Sequence, residues 1–296
     1  MKSLDLAPSV FCPHCNSQLQ ADAHSFDVYF SGQRSCPGCK KDIDWWQVVL
    51  TMVEHQFHFH QVVILAGAEA KALQTTLRPG ETKELSLVEY GVPEDAEILY
   101  LNLTSMGSAI PVLLHGNEVL REPVGPRLSL FGRPTPPELR GDGNLSVSVT
   151  WFVRRSDDTV IRHLVEAAKH YQAARFDALI MPANIAAEVS VTSTAELGLS
   201  GFANKKKLDG ATYSHQLNVL LGLTAFLAKF PRLPGHIRNI LNDLRKLRNT
   251  IAHEGACSAQ DRSKAAGYFT AALFVTHYAR LLKQAINEAR AAGELP

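Results

Sequence analysis

Apolar and polar positions follow different rhythms along the chain. From about residue 57 to residue 153 the apolar residues fall in short alternating or continuous runs: "FHFHQVVILAG", "KALQTTLRPGETKELSLVEYG", "AEILYLNLTSM", "IPVLLHG", "RLSLFG" and "NLSVSVTWFV". Turn residues separate them, among them Pro79-Gly80, Gly91, Gly116-Asn117 and Gly141-Asp142-Gly143. Strands at this spacing, with no helical pattern between them, predict an antiparallel β-sandwich or jelly-roll-like domain. The Pro-rich "FGRPTPPELRGDG" becomes a long connection between two of its strands. After "RRSDD" at residues 154–158, steps of three and four take over. Ile161, Leu164, Val165 and Ala168 make one stripe, continued by Tyr171, Ala174, Leu179 and Ile180. "SGFANKKKLDGATYSH" reads as a flexible connection, and two or three further helices follow it to complete an all-α bundle.

Ahead of the strands lies a section with little periodicity and four cysteines. Cys12 and Cys15 enclose Pro-His, Cys36 and Cys39 enclose Pro-Gly, and residues 16–35 separate the pairs. Two such turns supply the four thiolates that tetrahedral zinc prefers, and the pattern resembles a zinc ribbon. Four thiolates leave no open position for water or substrate, so one structural Zn²⁺ per chain is expected. Iron would satisfy the same ligands, although nothing nearby points to electron transfer. His14 reads as a turn residue. "DWWQVVLTMVEHQF" follows as a short helix with Asp44 at its N-cap. The expected fold is thus multidomain α+β: a zinc ribbon at 1–45, an antiparallel β-sandwich-like domain at 46–155, and an all-α domain at 156–296. His55, His58 and His60 invite a second metal reading. Glu54 is the one acidic neighbour at hand, and alternating His and Phe fits the polar face of a half-buried strand better.

Composition narrows the setting. The 296 residues carry 20% charged side chains and a net charge of +1, so any nucleic-acid contact needs a local patch or a shaped site. No run approaches a membrane-spanning length, and "YFTAALFVTHYARLL" is interrupted by Thr276, His277 and Arg280. Paired cysteines without a disulfide framework, and an N-terminus without a signal-like apolar run, place the protein in the cytoplasm.

The remaining chemistry sits in "LRKLRNTIAHEG", at the end of a helix that starts at Pro234 or Gly235 and stops at Gly255. Ile237, Ile240, Leu241, Leu244, Leu247 and Ile251 form its apolar stripe, and Arg248 projects only about 50° from the centre of that stripe. A cation so placed needs a carboxylate, a carbonyl or a ligand anion. Asn249 and His253 share one ridge. Basic groups in a last turn also complement the helix dipole, which is the plainer explanation.

Arginine, asparagine, three residues and histidine, on a late helix of an all-α unit with one long closing helix, resembles the signature of HEPN domains across roughly residues 157–292. The resemblance implies a metal-independent endoribonuclease, in the manner of toxins and phage-defence effectors. In it Arg248 holds the scissile phosphate, His253 moves the proton, and Asn249 orients one of them or a ribose hydroxyl. No cofactor is needed, because RNA brings its own 2′-OH nucleophile. The resemblance further implies RNA as substrate and a homodimer with a shared cleft. Glu188 becomes a candidate partner of Arg248, and Lys205, Lys206 and Lys207 could touch phosphates. An antitoxin or defence partner remains unspecified. The alternative is a HEPN-type RNA- or nucleotide-binding or dimerisation module that does not cut.

Overall fold

The computed structural model describes residues 2–5, 9–20, 33–54, 62–64, 67–105, 109–116, 118–120, 125–135, 143–153, 159–202, 208 and 210–296. The chain forms two compact units, and the division does not follow chain order. One comprises Met1–Pro8 with Val63–Asp157, and the other Ser9–Val62 with Asp158–Pro296. The Cys-rich section and the helical section, set apart by the sequence pattern, therefore share a unit.

The first unit holds two four-stranded antiparallel sheets. Strands β1 (Lys2–Asp5), β6 (Glu69–Thr76), β12 (Asn144–Val153) and β8 (Ala96–Ser105) make one, in that order. Strands β10 (Glu118–Val119), β9 (Ala109–His115), β11 (Arg127–Pro134) and β7 (Thr82–Ser86) make the other. Successive side chains of a strand point to opposite faces, so period-two burial is the signature of a one-sided core. β12 obeys it: Leu145, Val147 and Val149 are buried while Ser146 and Ser148 are partly exposed. A register shift at Thr150/Trp151 then breaks the alternation, and both residues are buried. Leu73, Leu85, Ile98, Leu113, Leu128, Leu130 and Val147 come from both sheets into one core.

One expected strand is helical where the structure describes it. Within "FHFHQVVILAG", residues 62–64 form a helical turn. The turn is closed by Gly67 N donating to Ile64 O (2.9 Å) and Ala68 N to Val63 O (3.1 Å), with Gly67 at φ 91°. A continuous apolar run buries equally well as a strand or a helical turn, and periodicity does not separate the two. His55, His58 and His60 lie outside the described residues.

In the second unit, β2 (Ser9–Phe11) pairs with β3 (Gln18–Gln20), and β4 (Gln33–Ser35) with β5 (Asp42–Asp44). Helix α1 (Trp45–Glu54) starts where expected, with Asp44 Oδ1 accepting from Gln47 N at 3.2 Å. Helices α2 (Thr159–Gln172) and α3 (Phe176–Leu199) replace one long periodic run. Left-handed Ala174 at φ 53° breaks it. α4 begins as Tyr213–His215, passes through a π-helical stretch Gln216–Leu220 and ends as Leu221–Leu227. α5 (Gly235–Glu254), the short α6 (Ala259–Ser263) and α7 (Ala265–Ala291) complete the unit. Gly198 lets α3 approach α4, since a Cβ there would fall 2.2 Å from Thr224 Cγ2. No described helix is long and apolar enough to cross a membrane.

The Cys-rich section is joined to the helices through α1. Trp46 packs at 5.2 Å against His236 at the start of α5 and at 6.2 Å, edge-on, against Phe274 of α7. The Tyr171 hydroxyl of α2 donates to Val53 O of α1 at 3.2 Å.

Leu130 is fully buried between the two sheets. Leu130→Ala is expected to destabilise the first unit by about 2–5 kcal/mol, measured by denaturant unfolding. A cost under about 1 kcal/mol would contradict a close-packed core at this position.

Candidate functional site

The two cysteine turns are near copies of each other. In the first, Asn16 N donates to Cys12 O and Cys12 N to Ser17 O, both at 2.9 Å. In the second, Lys40 N donates to Cys36 O at 2.9 Å and Cys36 N to Lys41 O at 2.8 Å. The residue after each second cysteine is left-handed, with φ 57° at Asn16 and 61° at Lys40. Gly38 allows the turns to close on each other, because a Cβ there would meet Ser17 Oγ at 2.6 Å.

The four sulfurs lie within 4.8 Å of one another. Cys12 and Cys39 are 3.8 Å apart and Cys15 and Cys36 3.6 Å. A tetrahedral ion with Zn–S bonds of about 2.3 Å would hold its sulfurs about 3.8 Å apart. The four cysteines can therefore hold a metal ion, and their spacing is compatible with structural zinc. The Ser17 hydroxyl, 3.2 Å from Cys15 Sγ, and the Ser17 backbone pull the Cys15 thiol down to about 6. Cys39 is pushed up to about 11: the Lys41 amide favours its thiolate, but burial and the three neighbouring sulfurs outweigh that bond. Sulfurs this crowded call for a shared cation. His14 contributes its backbone N–H to Cys12 Sγ at 3.4 Å, and its ring lies 3.4 Å from Asp42 O. That fits the turn role expected of it.

The second candidate is the end of α5. Ile237, Leu241, Leu244 and Leu247 are buried, while Ile240 and Ile251 at the edges of the stripe are partly so. Arg248 is half-buried beside that stripe. Its Nη1 donates to Asn249 Oδ1 at 3.2 Å, and its Nε is sealed from solvent without a hydrogen-bond partner. Asn249 and His253 are exposed. Gly255, at φ 82°, caps the helix through its N–H to Ile251 O at 2.8 Å. Beyond the cap, Asp177 of α3 accepts from Cys257 N at 3.2 Å and from Arg262 Nη2 at 2.9 Å. The contact with Cys257, then Arg262, holds the Asp177 carboxyl below its usual range. This tie fixes the segment after the motif, and the sequence pattern gave no hint of it: one acidic residue in a first helical turn is commonplace.

Glu188 faces other groups than Arg248. Its carboxylate accepts from Asn184 Nδ2 at 3.2 Å, and no ion pair joins it to Arg248. Burial, then the charge of Glu188, pushes the Tyr213 hydroxyl far above its usual range, with Arg245 acting against them. Asn184 and Glu188 therefore pair along α3, within electrostatic reach of Tyr213 of α4 and in opposition to Arg245 of α5. The buried Asn184 Oδ1 and Tyr213 hydroxyl have no hydrogen-bond partner among the described residues. Lys205, Lys206 and Lys207 lie outside the described residues.

Two variants separate structural from functional roles here. Cys36→Ser is expected to lower bound metal from about one ion per chain towards zero, measured by elemental analysis, and to lower the unfolding temperature. Full metal retention would remove Cys36 from the ligand set. Arg248→Met removes a buried donor whose unmet hydrogen bond costs about 1–3 kcal/mol. Its thermal unfolding temperature should match or exceed that of the native chain, and a clear loss would make the guanidinium a structural group. Searches against protein-family models, curated proteins and solved structures found no match to this chain.

Proposed function

We propose that the chain is a metal-independent endoribonuclease of the HEPN type, working at Arg248, Asn249 and His253 in a cleft shared by two copies. On this reading the cysteine section is a zinc ribbon, the first unit a jelly-roll-like sandwich, and helices α2–α7 the HEPN-like domain. The observation that carries the reading is the state of Arg248. Its guanidinium is half-buried, aligned by Asn249 and without an ion-paired carboxylate among the described residues. A cation held this way is suited to an anion that arrives from outside, such as a phosphodiester.

The chemistry needs only these groups and the RNA. The ribose 2′-OH attacks the adjacent phosphorus and loses its proton to a histidine. The P–O5′ bond breaks, and a proton passes to the departing O5′. The products are a 2′,3′-cyclic phosphate and a 5′-hydroxyl. Arg248 stabilises the charge that builds on the phosphate oxygens in between.

Geometry argues for two copies. Arg248 and His253 sit five residues apart on one helix, about 7.5 Å along its axis and about 140° around it. They diverge, so the arginine of one protomer is better placed to meet the histidine of its partner. α4 supports such a pairing. Val219, Leu223 and Phe226 form an exposed apolar stripe at helical spacing, 49%, 43% and 67% accessible. Asn242 of α5 reaches Asn218 of α4 at 3.5 Å, so the stripe neighbours the motif helix. An apolar stripe of this kind marks an interaction surface. The zinc takes no part in the reaction, since four thiolates leave it no open position.

One observation favours a second reading, a module that binds RNA without cutting it. The His253 side chain has no hydrogen-bond partner among the described residues to set its tautomer.

Labelled RNA separates the two readings, in buffer without divalent ions and with chelator too dilute to strip the ribbon. The enzyme is expected to yield cyclic-phosphate ends, and His253→Ala or Arg248→Ala to slow cleavage by about 10²–10⁴-fold. Leu223→Asp with Phe226→Asp should give a monomer that no longer cuts. RNA bound by both alanine variants, with no cleavage by any form, would establish the binding module instead.

A further inference from the structure

One cleft in the second unit has no part in that chemistry. Its volume is about 1090 Å³, and it lies between β2, the first cysteine turn, β5 and one face of α1. Phe11, Ile43, Val48 and Met52 supply apolar walls, and Phe11 is 37% exposed. Asp42 and Asp44 supply the charge, and no lysine or arginine lines the cleft among the described residues. Each carboxylate has one oxygen engaged: Asp42 Oδ1 accepts from Ser35 Oγ at 3.1 Å, and Asp44 Oδ1 from Gln47 N at 3.2 Å. Their second oxygens have no hydrogen bond among the described residues. Cys12 and Cys15 also line the cleft, and four thiolates around one divalent ion leave about two further negative charges beside it. Phosphate groups are repelled from such a place, so RNA is not its occupant.

We infer that this cleft binds an extended peptide segment carrying lysine or arginine next to apolar side chains. Three observations fix that chemistry. The walls are apolar, and two carboxylates face a single histidine, His14, which matches a cationic head on an apolar neighbour. The volume exceeds the usual 300–1,000 Å³ of small-molecule pockets. Two strands flank the cleft with one partner each: β2 pairs only with β3, and β5 only with β4, among the described residues. A strand edge of this kind accepts a further strand through main-chain hydrogen bonds, and neighbouring pockets read its side chains.

The test uses the full-length, metal-loaded protein and a randomised heptapeptide display library. Peptides pairing Lys or Arg with Leu, Ile, Phe or Met should be enriched. The best of them, synthesised and fluorescently labelled, should bind about ten-fold more weakly or worse to Asp42→Asn/Asp44→Asn and to Thr51→Arg. Rising ionic strength should weaken it as well. Asparagine preserves the helix cap at residue 44, and Thr51 is exposed, so both variants should retain metal content and circular dichroism. Enrichment of acidic peptides, no enrichment at all, or affinity unchanged in both variants would each overturn the proposal.

Discussion

The N-terminal half of helix α7 is buried on every side, and the second unit is organised around that constraint. Residues 268–275 are all buried, a run of more than two helical turns with no face left to solvent. A helix apolar all round must be encircled or lie in a membrane. Here it is encircled by α1, α2, α3 and α5. One of these, α1, comes from the N-terminal part of the chain, which is why the compact units cut across chain order. The tryptophan that fills this position, Trp46, touches α5 as well as α7, so the cysteine section and the motif helix bear on one core.

Two short turns hold that arrangement at its N-terminal end. They are too small to fold on apolar burial alone; backbone hydrogen bonds and left-handed residues after Cys15 and Cys39 order them, and they bring together four sulfurs that can hold a metal ion. The β5 strand leaving the second turn runs directly into the capped start of α1. At the far end of α5, Gly255 stops the helix and Asp177 pins the chain that follows. The candidate catalytic groups thus stand on a rigid helix fixed at both ends, as a preorganised site requires.

Charge is distributed unevenly behind a net value of +1. The end of α5 offers a half-buried guanidinium and an exposed imidazole, while the cleft beside the cysteines offers Asp42 and Asp44 and no lysine or arginine among the described residues. The polynucleotide and the basic peptide proposed above would therefore meet separate places on one unit. The total charge, used alone, argues weakly against nucleic acid and hides this contrast.

Much of the local structure is decided by the sequence alone. Asp44 caps α1 because a carboxylate at that position reaches the free amides of a first turn. The alternating runs from residue 69 onward became antiparallel strands, and Cys12, Cys15, Cys36 and Cys39, as their spacing suggested, come close enough to hold one ion. Arg248 beside an apolar stripe was legible from helical geometry. Other features needed the folded chain. Residues 62–64 turned out helical, since a short apolar run is buried equally well either way. β1 pairs with β6, Glu188 turns to Asn184, and α1 joins the helices instead of the strands. Each of these depends on which distant surfaces remain uncovered once the elements form. That is a property of the whole core, and no local pattern encodes it.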